Sequence, residues 1–265
     1  MRLPEVIAKH LDWTDAKKSP IGYSPEEIII LPHGYDGKPA VLKYSKRIEV
    51  YEEGVIYTWL KGKLPVPDVY VNIEVDGIYY LIVSLASGQM LSEKALDLSK
   101  KDILIMYAKL LRRIHSLDYH DFPLKHGKVY KIAKAKETVM KNEAKSEYFE
   151  RELQGQQPKA LMRKIEALQD FEEDLVFCHG DVCFPNFMVD DTLNLTAVLD
   201  VSGAGINDRH LDLAIGLRTL RYNFELKNET LTQEDIQLFL ETYGLKHIDM
   251  NIITFYILID ELTNG

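Results

Sequence analysis

The chain has 265 residues, 46% of them hydrophobic and 28% charged, with a formal charge of −9 at pH 7. That length and apolar content allow a substantial core in one or two domains, and the acidic balance argues against a nucleic-acid partner, which needs a basic footprint. No apolar run approaches the roughly 18 residues of a membrane span, and the start lacks the charged and apolar regions of an export signal, so the expected location is cytoplasmic.

Taken in chain order, the first expected strands are 25–31 and 38–44, around Tyr35-Asp36-Gly37. The second contains Ala40-Val41-Leu42-Lys43-Tyr44, where a charge inside an apolar strand is costly without a partner. The segment Ile48 to Gly62 repeats apolar residues at Ile48, Tyr51, Val55, Ile56 and Trp59, close to a helical stripe, and offers Glu49, Glu52 and Glu53 as partners for Lys43. A hairpin is expected from 69–75 and 78–84 across Asp76-Gly77, a strong two-residue turn signal.

Past Gly88 the pattern turns helical. Ser99-Lys100-Lys101-Asp102 reads as a capping box for a helix whose core stripe is Ile103, Tyr107, Leu110, Leu111 and Ile114. His115, near its end, reads as a structural residue that interacts with carbonyls or the helix dipole. A Lys-rich stretch from Lys125 to Lys141 precedes Glu143, Glu147, Glu150 and Glu152, and a solvated helix face explains these carboxylates as well as a ligand does.

Leu175 to Cys178, Phe187 to Val189 and Leu195 to Leu199 are apolar runs of strand length that bracket polar residues. Cys178 and Cys183 make no metal framework and are expected to be small hydrophobes in a reducing compartment. There is no internal repeat, and the organisation reads as two lobes, 1–87 and 88–265.

The bracketed polar residues carry the chemistry. His179-Gly180-Asp181 is followed by Asn186 and then Asp200, the order in which phosphoryl transfer uses a base and two metal-binding oxygens. The Asp to Asn spacing equals that of the protein-kinase catalytic loop, but Gly180 replaces its Arg and Asp200-Val201-Ser202-Gly203 replaces Asp-Phe-Gly. Only a few residues separate Asp200 from the helical stretch opening at Asp208, and no Ala-Pro-Glu follows. An activation loop does not fit, so the acceptor is expected to be small.

The chain resembles the aminoglycoside phosphotransferases, most closely those acting on a 3'-hydroxyl. The likeness runs from Gly22-Tyr23-Ser24-Pro25 through Leu42-Lys43, Trp59 to Pro67, Val176 to Asn186, Asp212-Leu213-Ala214 and Arg218 to Tyr256 to Leu262. It implies an α+β, two-lobed, protein-kinase-like fold with a small antiparallel-sheet N-lobe and a mainly helical C-lobe, with ATP or GTP held between them. Under it, Asp181 is the catalytic base, Asn186 and Asp200 hold Mg²⁺, and Lys43, paired with Glu53, meets the nucleotide phosphates. Ser24 sits on the phosphate side, Val83-Ser84-Leu85-Ala86 is the hinge, whose backbone groups, those of Ser84 and Ala86 among them, hold the adenine, and Val41 lies where close relatives stack a Tyr. Glu147, Glu150, Arg218, Asp260 and Glu261 are the implied acceptor residues for a cationic aminoglycoside. Gly203 replaces a family Arg and Asn223 an acidic residue, from which a narrower or shifted antibiotic range is expected. A metabolic kinase of the same fold acting on choline, a sugar or an amino alcohol is the alternative, and a non-catalytic nucleotide-binding module is another. Either a monomer or a dimer is compatible.

Overall fold

A computed structural model describes residues 3–19, 26–147 and 149–264. In chain order its helices and strands are α1 (Glu5–Ala8), β1 (Lys17–Lys18), β2 (Glu27–Tyr35), β3 (Lys38–Ser45), α2 (Glu49–Leu60), β4 (Val69–Val75), β5 (Ile78–Ser84), β6 (Gln89–Met90) and α3 (Leu91–Lys94). They continue with α4 (Lys100–His115), α5 (Lys128–Met140), α6 (Pro158–Leu168), β7 (Leu175–Cys178), β8 (Phe187–Val189), β9 (Leu195–Val198), β10 (Gly205–Asp208), α7 (His210–Leu226), α8 (Gln233–Tyr243) and α9 (Met250–Asn264).

The chain divides into two compact units, the first made of Met1–Lys94 with Pro185–Ser202 and the second of Ala95–Phe184 with Gly203–Gly265. In the first unit, an antiparallel sheet runs β1-β2-β3-β5-β4 and a smaller one runs β6-β8-β9. Side chains alternate across β3, so Ala40 and Leu42 join Leu31, Tyr80 and Ile82 in one core while Lys43 points to the opposite face. Helix α2 covers that face and buries Val50, Glu53, Ile56, Tyr57 and Leu60. At its Gly54 a Cβ would lie 2.5 Å from the Asn72 amide and displace it from the Tyr51 carbonyl, to which it donates at 2.9 Å.

The β4–β5 hairpin has the expected limits, with Asp76 at φ +52° and Gly77 at φ +74° forming its two-residue turn. Strand β2 runs past its expected end to Tyr35. Pro32-His33-Gly34 breaks the apolar alternation, yet the strand continues through a register shift between Leu31 and Tyr35.

The second unit is helical, with one two-stranded ribbon of β7 and β10. Helix α4 buries Ile103, Leu104, Tyr107, Ala108, Leu111, Ile114 and His115, so Leu104 and Ala108 fill the core where Leu110 was expected. Tyr107 packs on Phe184 and Phe239 at centroid distances of 4.9 and 6.0 Å. The Ser99 side chain accepts the Asp102 N–H, but the reciprocal capping bond is to the Ser99 hydroxyl rather than its backbone. The full capping box is Thr232 with Asp235, which opens α8. No helix among the described residues is long and apolar enough to cross a membrane.

Candidate active site

In the first unit the Lys43 ammonium is held by both carboxylate oxygens of Glu53, at 2.7 and 2.8 Å. Glu49 is engaged elsewhere, with Arg47 at 3.0 Å. Glu53 is 1% exposed and also accepts the Tyr57 hydroxyl at 2.8 Å. Tyr57 in turn accepts the backbone N–H of Asp200 at 3.0 Å, so one helix fixes both the lysine and the start of the Asp200 turn. Burial opposes the charge on Lys43, but Glu53 and Asp200 outweigh it and hold its pKa above the ordinary lysine range. Asp200 has φ +51°, a left-handed backbone that Asp tolerates better than most residues, and its Oδ1 accepts the Ser202 hydroxyl at 3.2 Å. Asn186 precedes β8, and its carbonyl takes the Leu199 N–H at 2.8 Å, which ties the two oxygen-bearing residues to one small sheet. An Asn amide and an Asp carboxylate supply hard oxygen donors that fit Mg²⁺.

Sequence reasoning gave no role to Tyr57 or Glu26. Burial raises the Glu26 carboxyl, with Lys43 opposing and Asp200 adding to the shift, so a further carboxylate shares this surface. Val41 is half-buried and pairs with Ile30 and Val83. Ser84 ends β5 and exchanges two hydrogen bonds with the Asp68 backbone, at 2.8 and 2.9 Å, and Ala86 follows it in irregular chain. Ser24 lies outside the described residues.

In the second unit the loop carrying Asp181 is clamped by its backbone. Asp212 accepts the N–H groups of His179 at 2.7 Å and Gly180 at 2.9 Å. It also receives His115 Nε2 at 3.0 Å, while His115 Nδ1 meets the Tyr243 hydroxyl at 2.6 Å. His115 therefore bonds side chains, not carbonyls or a helix end. Burial works against the Asp212 charge, but the hydrogen bonds hold its carboxyl below the ordinary range. Cys178 is close enough to make a metal-ligand cluster with His115 and Asp212, yet its thiol donates to the carbonyls of Asn207 and Asp208, so the trio is a satisfied core network.

Gly180 has φ +86°, and a Cβ there would sit 2.1 Å from the Gly203 carbonyl oxygen. Only glycine allows that approach. Asp181 Oδ1 accepts the Cys183 N–H at 3.3 Å, and the Cys183 thiol also bonds to Asp181. Burial, together with Asp181, pushes that thiol far above the ordinary range. Both cysteines are free; Cys178 is buried and Cys183 only partly so.

Arg218 on α7 gathers three of the acceptor-side residues. It contacts Glu150 at 3.3 Å, Glu261 at 3.2 Å, and Asp260. Arg221 adds Glu150 at 3.0 Å and Glu152 at 3.2 Å. Glu261 Oε2 accepts the Glu150 N–H at 2.8 Å, tying the 143–157 segment to the last turns of α9. Burial pushes the Glu261 carboxyl up to about 7, with the Glu150 N–H and Arg218 opposing and the charges of Asp260 and Glu150 adding to the rise. Glu147 is exposed and lines a groove with Asn142, Lys145, Gln157 and Lys159 instead. Asn223 is buried and donates to the Thr219 carbonyl at 2.7 Å, within its own helix.

A model of the phosphotransferase enzyme family matches residues 34–238. An aminoglycoside 3'-phosphotransferase of Niallia circulans is 31% identical over 97% of this chain and 96% of its own. The chain belongs to this phosphotransferase family. It is an enzyme, an ATP-dependent phosphotransferase with a hydroxyl acceptor. Among solved structures, an aminoglycoside-3'-phosphotransferase of type VIII superposes with TM-score 0.79 at 24% identity, over 93% of both chains. The APH(3'')-Id enzyme of Streptomyces rimosus, in complex with ADP and streptomycin, superposes with TM-score 0.78 at 22% identity, over 94% of this chain and 93% of that one. At these identities the structures establish the kinase-like fold of the phosphotransferase.

Proposed function

We propose that this phosphotransferase moves the γ-phosphoryl group of ATP to the 3'-hydroxyl of an aminoglycoside, inactivating the antibiotic. The observation that carries this reading is the near full-length likeness to an aminoglycoside 3'-phosphotransferase, together with an intact Lys43–Glu53 pair on the same unit as Asn186 and Asp200.

Lys43 stays cationic and meets the nucleotide phosphates, and Glu53 with Tyr57 holds it in place. Asn186 and Asp200 would hold Mg²⁺, which would offset phosphate charge there. Asp181 accepts the proton of the acceptor hydroxyl as that oxygen bonds to the γ-phosphorus and the bond from γ-phosphorus to the β-phosphate oxygen breaks, leaving ADP. Glu150, half-buried, and Asp260, 9% exposed, lie around Arg218 and meet ammonium groups of the acceptor. Glu261, 5% exposed and bonded on both oxygens, acts as the tether of the 143–157 segment. Charge-assisted bonds of this kind are about twice as strong as neutral ones.

ADP release is the test, measured with ATP and Mg²⁺ alone, with kanamycin and with choline. Kanamycin-dependent release supports the reading. Release with choline and with no aminoglycoside would keep the kinase and remove the antibiotic as acceptor.

A further inference from the structure

Of the lysines in α5 and at its C-cap, Lys128, Lys136 and Lys141 meet carboxylates, those of Glu173 at 3.4 Å, Glu166 at 3.1 Å and Glu137 at 2.6 Å. Lys131 does otherwise: its ammonium turns inward and donates to the backbone carbonyl of Gly203 at 3.1 Å. Burial of the ammonium lowers its pKa, against the pull of Cys178, Asp212 and Asp260 and with Lys134 adding to the lowering. A half-buried cation bonded to a carbonyl costs stability that an apolar side chain of similar length would not.

The carbonyl it holds is the one that lies 2.1 Å from where a Gly180 Cβ would be. Gly180 is the residue before Asp181, and Asp212 already takes its N–H. The start of α5 is tied to the same segment twice more, by His126 Nδ1 with the Ala204 carbonyl at 3.1 Å and by the Asn207 amide donating to the His126 carbonyl at 2.9 Å. Gly205 packs against His126 so closely that a Cβ there would lie 2.7 Å from it. The Gly203 carbonyl is thus pinned from α5, and the peptide leading into Asp181 is held between its own bonds to Asp212 and this carbonyl.

We propose that Lys131 is a positioning residue for the reaction: by fixing the Gly203 carbonyl on Gly180 it completes the grip that orients the Asp181 carboxylate. The inference rests on Asp181 being the base. Lys131 touches neither reactant. It acts through Gly203 and Gly180, so its loss affects the chemical step and leaves nucleotide binding, which the first unit supplies, intact.

The test compares Lys131→Met, Lys131→Gln and Asp181→Ala in the full chain. Lys131→Met is expected to lower kcat roughly 10- to 100-fold, the range a displacement of about 1 Å produces, with the KM for ATP within a factor of two. Lys131→Gln retains an N–H donor without the charge and recovers part of the loss. Amide exchange of the peptide 176–186 quickens in Lys131→Met while that of 38–60 does not. A Lys131→Met enzyme with more than half the wild-type kcat overturns the proposal, as does a fall in kcat with unchanged exchange at 176–186. Should Lys131→Met not fold, Lys131→Ala, which also lacks the donor, overturns it equally if its exchange at 176–186 is unchanged and its activity full. Asp181→Ala separates the two ideas: turnover surviving there removes the base, whereas loss there with full activity in Lys131→Met removes only the role of Lys131.

Discussion

Asp212 accepts the backbone N–H of Gly180 at 2.9 Å, so a buried carboxylate on α7 sets the path of the loop that carries Asp181. Replacing it by Ala strands this N–H and that of His179 in the interior, at about 1–3 kcal/mol each. Urea unfolding of Asp212→Ala is therefore expected to show a loss of at least about 2 kcal/mol, and Asp212→Asn, which keeps one acceptor oxygen, a smaller loss. Unaltered stability in Asp212→Ala would mean that the two N–H groups find other partners.

The phosphate and metal side gives a separate expectation. Asp200→Ala should abolish magnesium-dependent binding of ATP in calorimetry, while Lys43→Ala weakens binding and leaves its magnesium dependence in place. Unchanged Mg·ATP affinity in Asp200→Ala would take that residue out of the metal site.

Two glycines that touch each other should behave oppositely. A Cβ on Gly180 meets the Gly203 carbonyl at 2.1 Å and demands φ +86°, whereas a Cβ on Gly203 meets Gly180 at 3.6 Å, ordinary contact. Left-handed strain alone costs about 1–3 kcal/mol, so Gly180→Ala should lose activity and melt earlier. Gly203→Ala should keep both. Thermal melts with a turnover assay decide the pair.

The acceptor cluster predicts a pH dependence. The Glu261 carboxyl is raised to about 7 from 4.5, so its neutral form is the one the fold favours. Its contribution to stability is fully present below the unfolded value and is lost as pH rises through about 7. Glu261→Gln should flatten the fall in melting temperature across that window and change the KM for kanamycin little. Asp260→Ala should raise that KM tenfold or more, from about 1.5–3 kcal/mol per charged hydrogen bond, and leave the KM for ATP unmoved. Equal KM effects from both substitutions would return Glu261 to direct contact with the acceptor.

What the sequence disclosed was local. Asp76-Gly77 announced its hairpin because a tight turn leaves few residue choices, and the Lys43, Asp181, Asn186 and Asp200 set was legible because phosphoryl transfer needs those groups in that order. The residues alone left Glu49, Glu52 and Glu53 open as partners of Lys43; the family resemblance pointed to Glu53, and the packing of α2 on the sheet turns that side chain to Lys43. Long-range pairings left no local trace. The tether of Glu150 to Glu261, the His115–Asp212 pair and the return of Pro185–Ser202 to the first unit through Gln89↔Val189 each join residues about a hundred positions apart. Lys131 reads in the sequence as one more solvated lysine, because only the fold turns it inward.

The central claim is that Asp181 takes the proton of an aminoglycoside hydroxyl. Steady-state ADP release with kanamycin, for the wild type and Asp181→Ala, tests it most directly. The expected result is kanamycin-dependent turnover that falls by roughly 10²–10⁴-fold in the variant, the range for a positioned base, with ATP binding retained. A variant that keeps more than a tenth of the wild-type turnover would contradict the assignment of Asp181 as the base.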